Sequence, residues 1–313
     1  DNRDTSEVDK YSKKDPLNIF FKENPDIYSS MSIKIDSEIS SYIKELSDEG
    51  ELPPKKYVDT IPDSREILYK PIVPKKERVV NQINSFFHEI MKKDKNVIFI
   101  GEDVLSPYGG AFKVAKDLST TFPNKVFSTP ISEAAITGIA NGLALKGMKP
   151  YLELMFGDFI LLALDQIINH ASKFHHMYNK QVSCPIVIRT PMGGGRGYGP
   201  THSQTLDKFI MGIDNVTVIA LNNLIDPKII YKNIYANQKH PTIVIENKLD
   251  YGRLIGAANI DHYSIEQSDD LYPVVKCSPL DVIPELTIVS YGGITHDVIE
   301  SVDLQPRCKE LLH

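Results

Sequence analysis

Val79–Asp103 reads VVNQINSFFHEIMKKDKNVIFIGED, and its two halves follow different periods. In the first half Val79, Val80, Ile83, Phe86, Phe87 and Ile90 recur every three or four residues, the stripe of a helix that buries one face. In the second, Val97-Ile98-Phe99-Ile100 is an unbroken apolar run closed by Gly101, which suits a strand covered on both sides. A helix feeding such a strand is the repeating unit of an α/β layer built on a mainly parallel sheet.

Working outward, the alternation repeats. Strands are predicted at Val126-Phe127-Ser128, Pro150–Met155, Ile186-Val187-Ile188, Val216–Ala220 and Thr242–Glu246, with helices over Ala134–Leu145, Leu162–Met177 and Ile229–Tyr235. The helix at Ala134–Leu145 carries Ala134, Ala135, Gly138, Ala140, Gly142 and Ala144, so another backbone or a ligand can approach it closely. This layer runs over 77–250 and, with its trailing loop, defines a domain at 77–270.

Residues 1–76 are polar and weakly periodic; only Ile35, Ile39, Ile43 and Leu46 stripe a helix face. The remainder reads as arm and linker, stiffened at Glu51-Leu52-Pro53-Pro54-Lys55-Lys56 and around Pro71 and Pro74. At the other end, 271–313, Leu286–Gly293 is predicted to be a strand running into a glycine turn, the start of a second α/β unit. The 28 residues from Leu286 to His313 are too few to finish one, since even one βαβ unit takes roughly 30 or more; an incomplete C-terminal domain is expected.

The 35 Lys+Arg against 41 Asp+Glu give a net charge of −6, with no broad positive field for nucleic acid or an anionic membrane. The three cysteines, Cys184, Cys277 and Cys308, are too scattered for a disulfide framework or a clustered metal site. No apolar stretch approaches the roughly 20 residues of a membrane span, and the N-terminus carries no signal-peptide core. The expected location is cytoplasmic, or an organellar matrix such as that of mitochondria.

Chemistry concentrates in Pro191–Gln204, where five glycines in the seven positions 193–199 follow a predicted strand. Such a loop is free to wrap a ligand, or is merely mobile surface. Within it His202 can trade protons near neutrality, Arg196 can clamp a carboxylate through its planar fork, and Tyr198 lies between them. Glu133, at a strand-to-helix junction, is a pocket carboxylate or a helix-capping group. Glu102, just past the first strand of the sheet, occupies the carboxyl edge where open α/β folds bind ligands. Phe159 is either core or a platform for a flat heterocycle. His170, His175 and His176 lack the spacing of a zinc hydrolase, and neither GxGxxG after a strand nor GxxxxGK[ST] occurs.

Six blocks in order carry a resemblance: Gly101–Val104, Tyr108–Phe112, Thr129–Glu133, Glu153–Phe159, Asp165–Asn169 and Thr201–Gln204. Together they resemble the β subunit of the E1 component of 2-oxo acid dehydrogenases, the group acting on pyruvate, branched-chain 2-oxo acids or acetoin. The resemblance implies a thiamine-diphosphate-binding fold, with a pyrimidine-binding, transketolase-like domain and the start of a C-terminal one. It also implies decarboxylation of a 2-oxo acid and reductive acylation of a lipoyl group on E2.

By the same resemblance, Glu133 is the carboxylate that hydrogen-bonds N1′ of the aminopyrimidine, and Phe159 stacks on that ring. Glu102 is the acidic residue at the mouth of the cofactor pocket, and His202 handles the intermediate and the lipoyl acceptor; Arg196 and Tyr198 are substrate or loop residues. The family also requires an E1 α-type domain that holds diphosphate through Mg²⁺ with a GDG motif, which this sequence lacks. Gly157-Asp158-Phe159 does not replace it, so no metal ligand is assigned here. The expected partners are that α-type domain, a second β-type domain and the lipoyl domain of E2. Thr5–Tyr11 and Lys14–Leu17 resemble an E1 α-subunit tail, which implies a fused α–β parent. A K⁺ site is left unassigned, because Gln238 and His240 stand before Pro241 where relatives supply a carboxylate. Two other readings are compatible with the sequence: a thiamine-dependent transferase of the transketolase or 1-deoxyxylulose-5-phosphate synthase type, and a non-catalytic structural β-like subunit.

Overall fold

In the computed structural model, which describes residues 4–48, 65–258, 260 and 262–309, chain contacts divide between Arg65 and Glu66 into two units. The first holds α1 (Thr5–Ser12), α2 (Pro16–Glu23) and α3 (Pro25–Asp48). The helix starts are set by local chemistry. Asp4 accepts the Ser6 N–H at 2.8 Å and Asp15 accepts the Leu17 N–H at 2.7 Å, with Pro16 opening α2. Polarity read this stretch as an arm outside Ile35–Leu46; the caps make it helical. The connector at Glu51–Lys56 lies outside the described residues.

The second unit begins with β1 (Tyr69–Pro71), α4 (Val79–Lys93), β2 (Val97–Gly101), α5 (Leu118–Thr121), β3 (Val126–Ser128), α6 (Glu133–Leu145) and β4 (Lys149–Glu153). It continues through α7 (Phe174–Met177), β5 (Val187–Met192), β6 (Thr217–Ala220), α8 (Pro227–Asn237), β7 (Thr242–Asn247), β8 (Tyr263–Ser268), β9 (Val275–Pro279) and α9 (Thr295–Lys309). Six strands form one sheet in the order β3-β2-β4-β5-β7-β6, every pair parallel.

Strand period two sorts the core into two layers. Val97, Phe99, Tyr151, Val187 and Val244 point toward α4 and α8, where Phe86, Phe87 and Tyr231 interlock edge to face and stacked. Ile100, Leu152, Ile188, Ile243 and Ile245 join Ile136, Ala140 and Ala144 of α6 on the opposite side. Both faces of the sheet are therefore covered, as the unbroken apolar runs require. The carboxyl ends of β2, β3, β4 and β5 open into the segments that carry the candidate residues.

Three expectations are corrected. The helix predicted over Leu162–Met177 is broken into a 3₁₀ turn at Gly157–Ala163, a π turn at Gln166–Ala171 and the short α7. Side chains take the carbonyls a regular helix would use: Asn141 Nδ2 donates to Gln166 O at 2.9 Å and His170 Nδ1 lies 3.2 Å from Asp165 O. Leu286–Tyr291 forms no strand; no strand among the described residues pairs with it, and an isolated strand has no ladder to hold it. Pro71, read as part of a linker, ends β1, which joins β8 and β9 in an antiparallel sheet in the order β1-β8-β9.

Candidate functional site

The carboxylate corner is built on regular elements. Glu102 follows the last residue of β2, and Glu133 is the first residue of α6; both are buried, at 4% and 5% exposure. Glu102 accepts the backbone N–H of Ser132, the residue just before α6, at 3.2 Å, so one carboxylate fixes the turn that presents the other. Burial pushes the Glu102 carboxyl above its ordinary range, and the neighbouring charges of Glu133 and then Asp103 act in the same direction against the Ser132 hydrogen bond. Among the described residues none donates a hydrogen bond to the Glu133 carboxylate.

The histidine side is built on a loop. Beyond β5 the chain turns at Gly193, with φ +92° and room for no Cβ, which would stand 2.7 Å from Asn247 Nδ2. The loop closes on itself where Gly193 N–H donates to Gln204 O at 3.1 Å. His202 presents its ring edge-on to Phe156 at 4.7 Å and Phe159 at 5.2 Å between centroids. Its Nδ1 lies 2.9 Å from Thr201 Oγ1; no described residue engages Nε2. Asp158 accepts the backbone N–H of Gln204 at 3.1 Å and its side-chain amide at 3.0 Å.

Phe156 is the centre of an aromatic wall. Tyr198 meets it at 5.4 Å and Phe112 at 5.8 Å, while the Arg196 guanidinium lies 5.9 Å from the Phe112 ring centroid. Phe112 also stacks on Tyr251 at 5.1 Å. Beneath it lies a fully buried network: Arg189 pairs with Glu153 and Glu246, and the hydroxyls of Tyr231 and Tyr251 donate to Glu246. One guanidinium between two carboxylates leaves a buried negative charge. Burial, opposed by Arg189 and reinforced by Glu246, pushes Glu153 up to about 7.

The two sides meet through one piece of chain. The 3₁₀ turn Gly157–Ala163, which carries the half-buried Phe159, packs against α6, against β5 and against the turn Pro200–His202. Glu102 and Glu133 are thus coupled on one side, while Phe159, His202, Tyr198 and, through Phe112, Arg196 form the other. Arg196 contacts an aromatic face rather than a carboxylate. Sequence reasoning missed Phe112, Phe156, Asp158 and Lys248 as site residues. The available signal was Lys248: Thr242, Val244, Glu246 and Lys248 share one face by period two, and charge on a doubly covered strand face needs a reason.

Among the described residues no helix is long and apolar enough to cross a membrane. Residues 78–253 match the family described as transketolase, pyrimidine binding domain. The chain is similar to the 2-oxoisovalerate dehydrogenase subunit beta of Bacillus subtilis, 31% identical over 225 residues covering 72% of this chain and 66% of that protein. It is also similar to the pyruvate dehydrogenase E1 component subunit beta of Porphyra purpurea, 34% identical over 217 residues covering 69% and 62%. It therefore spans less than two thirds of the length of these curated relatives. Among solved structures, a split gene transketolase, inactive beta4 tetramer, aligns with TM-score 0.44 and 17% identity over 59% of this chain and 56% of that one.

Proposed function

This chain belongs to the transketolase pyrimidine-binding domain family, and from that premise we propose that it is the β-type part of a thiamine-diphosphate-dependent 2-oxo acid dehydrogenase E1. Similarity to β subunits of pyruvate and 2-oxoisovalerate dehydrogenases supports this substrate class. The observation that carries the reading is Glu133: a buried carboxylate at a helix start, coupled to Glu102, with no donor from the described residues. A protonated aminopyrimidine N1′ would supply the missing donor, so the residues present fit the group.

Thiamine diphosphate, when bound, supplies the carbon nucleophile and the electron sink for loss of carbon dioxide from a 2-oxo acid. Glu133 would hold and move the proton at N1′. Glu102 would keep Ser132, and with it the start of α6, in place. Phe159 would give the pyrimidine an apolar face, and its edge contact with His202 would set the imidazole beside the reacting end. His202, with Nδ1 against Thr201, would use Nε2 to exchange a proton with substrate or with the lipoyl acceptor. Tyr198 and Arg196 would line the approach. The diphosphate and its Mg²⁺ would be held by an α-type partner domain, and the acyl product would leave on the lipoyl group of E2.

The test is reconstitution of this chain with a matching α-type subunit, thiamine diphosphate and Mg²⁺, followed by measurement of carbon dioxide release from pyruvate and from branched 2-oxo acids. Turnover of either, absent without the α-type partner, is expected. Turnover of neither, with ketol transfer between sugar phosphates instead, would assign the chain to the transketolase-type reaction.

A further inference from the structure

Lys248 is fully buried, and the reaction proposed above gives it no task. It follows β7 directly, and its backbone N–H extends the β5–β7 ladder by donating to Met192 O at 3.1 Å. The side chain is therefore anchored where β5 opens into the glycine loop. Its ammonium donates to Gly193 O at 3.1 Å and to His202 O at 2.6 Å, the first residue of the loop and its histidine. It also stands 3.9 Å from Asp158 Oδ2 and 5.1 Å from the Phe156 ring centroid.

We infer that Lys248 is a positioning residue: by tying the carbonyls of Gly193 and His202 to one buried ammonium, it sets where the His202 imidazole stands. The backbone of a glycine-rich loop does not hold one conformation by itself, because each glycine surrenders more freedom on ordering than any other residue. Two charge-assisted bonds from a rigid strand end supply that order. Lys248 and the His202 ring share Phe156 as a neighbour, the ammonium 5.1 Å from its centroid and the imidazole against its edge, and Phe156 in turn touches Tyr198. Asp158 completes the brace from the other side, holding Gln204 with one oxygen and facing Lys248 with the other. Burial lowers the lysine's affinity for its proton, and Asp158 restores part of it. A methionine here would pack the same stem without that desolvation cost, so the ammonium is placed for its bonds. The catalytic consequence rests on the reaction proposed above; the ordering of the loop does not.

The experiment uses Lys248→Met, His202→Ala and the double variant in the reconstituted α–β enzyme, read by hydrogen exchange and by turnover. In Lys248→Met, amides of residues 193–204 are expected to exchange about tenfold faster or more while those of β4 and β7 keep their rates. The turnover losses are expected to be non-additive, the double variant being no slower than His202→Ala, because Lys248 acts through His202. Loop exchange that stays at the wild-type rate, or rises equally throughout the sheet, would overturn the inference, as would additive losses. If the methionine variant fails to fold, Lys248→Gln, uncharged and one bond too short for the span from Lys248 to the two carbonyls, is expected to loosen residues 193–204 in the same selective way, and loop exchange at the wild-type rate in it would overturn the inference. Wild-type enzyme inactive on every 2-oxo acid would sink the proposed reaction, and the exchange result would still decide the role of Lys248.

Discussion

The two sides of the candidate site are held in opposite ways. Glu102 and Glu133 sit at a strand end and a helix start, so the covered sheet and α6 position them, with a single hydrogen bond to Ser132 trimming the turn. His202 sits on a glycine loop whose place depends on individual side chains far away in sequence, Asp158 and Lys248. A residue placed by elements can be changed chemically without moving its surroundings. A residue placed by a brace shares its effect with every member of that brace.

The sharpest way to break this contrast is at Glu133. Glu133→Gln keeps the shape and the helix start but removes the carboxylate, and turnover is expected to fall by about 10²–10⁴-fold with the midpoint of thermal unfolding nearly unchanged. Steady-state decarboxylation beside a thermal melt measures both, and near-wild-type turnover would remove Glu133 from the chemistry. On the loop side, Asp158→Ala leaves the backbone and side-chain N–H groups of Gln204 without their acceptor, a cost of about 1–3 kcal/mol concentrated in the loop. Turnover should fall roughly tenfold, and the chain near 193–204 should be cut more readily in limited proteolysis. A loss as large as that of Glu133→Gln would mean that Asp158 does more than brace.

The same contrast explains what was legible in the sequence. Short apolar runs exposed β2 through β7, the small-residue segment exposed α6, and the 3.6 period exposed α4 and α8, because each element buries an apolar surface that its sequence must supply. The six-block resemblance, in accord with the match over residues 78–253, brought out the family. Glu102 and Glu133 were legible as ends of such elements. For Lys248 only the charge on a covered strand face was legible; its partners were not, since they lie 55 and 46 residues away and contact is a property of the fold. The break after Gly157–Ala163 was hidden for a similar reason: Asn141, on another helix, takes the carbonyl of Gln166. The strand expected at Leu286–Tyr291 failed in the other direction, because an apolar run records the wish for a ladder and not the presence of a partner.

The smallest expected effect tests the piece of sheet between the two sides. Glu153 ends β4, in register with Gly101 of β2 and Arg189 of β5, and a Cβ at Gly110, whose φ is +79°, would stand 2.6 Å from its Oε1. Buried beside a guanidinium already shared with Glu246, Glu153 is pushed up to about 7 from its ordinary value of 4.5. The native state therefore binds more protons than the unfolded chain between those values. The stability from this group is fully present below pH 4.5 and is lost as pH rises through about 7. The slope contributed cannot exceed about 1.4 kcal/mol per pH unit, and Glu153→Gln should remove it. Urea denaturation of both proteins across that interval reads the difference. Parallel stability curves would mean that Glu153 binds its proton equally well folded and unfolded, with Arg189 offsetting the whole cost of burying the charge.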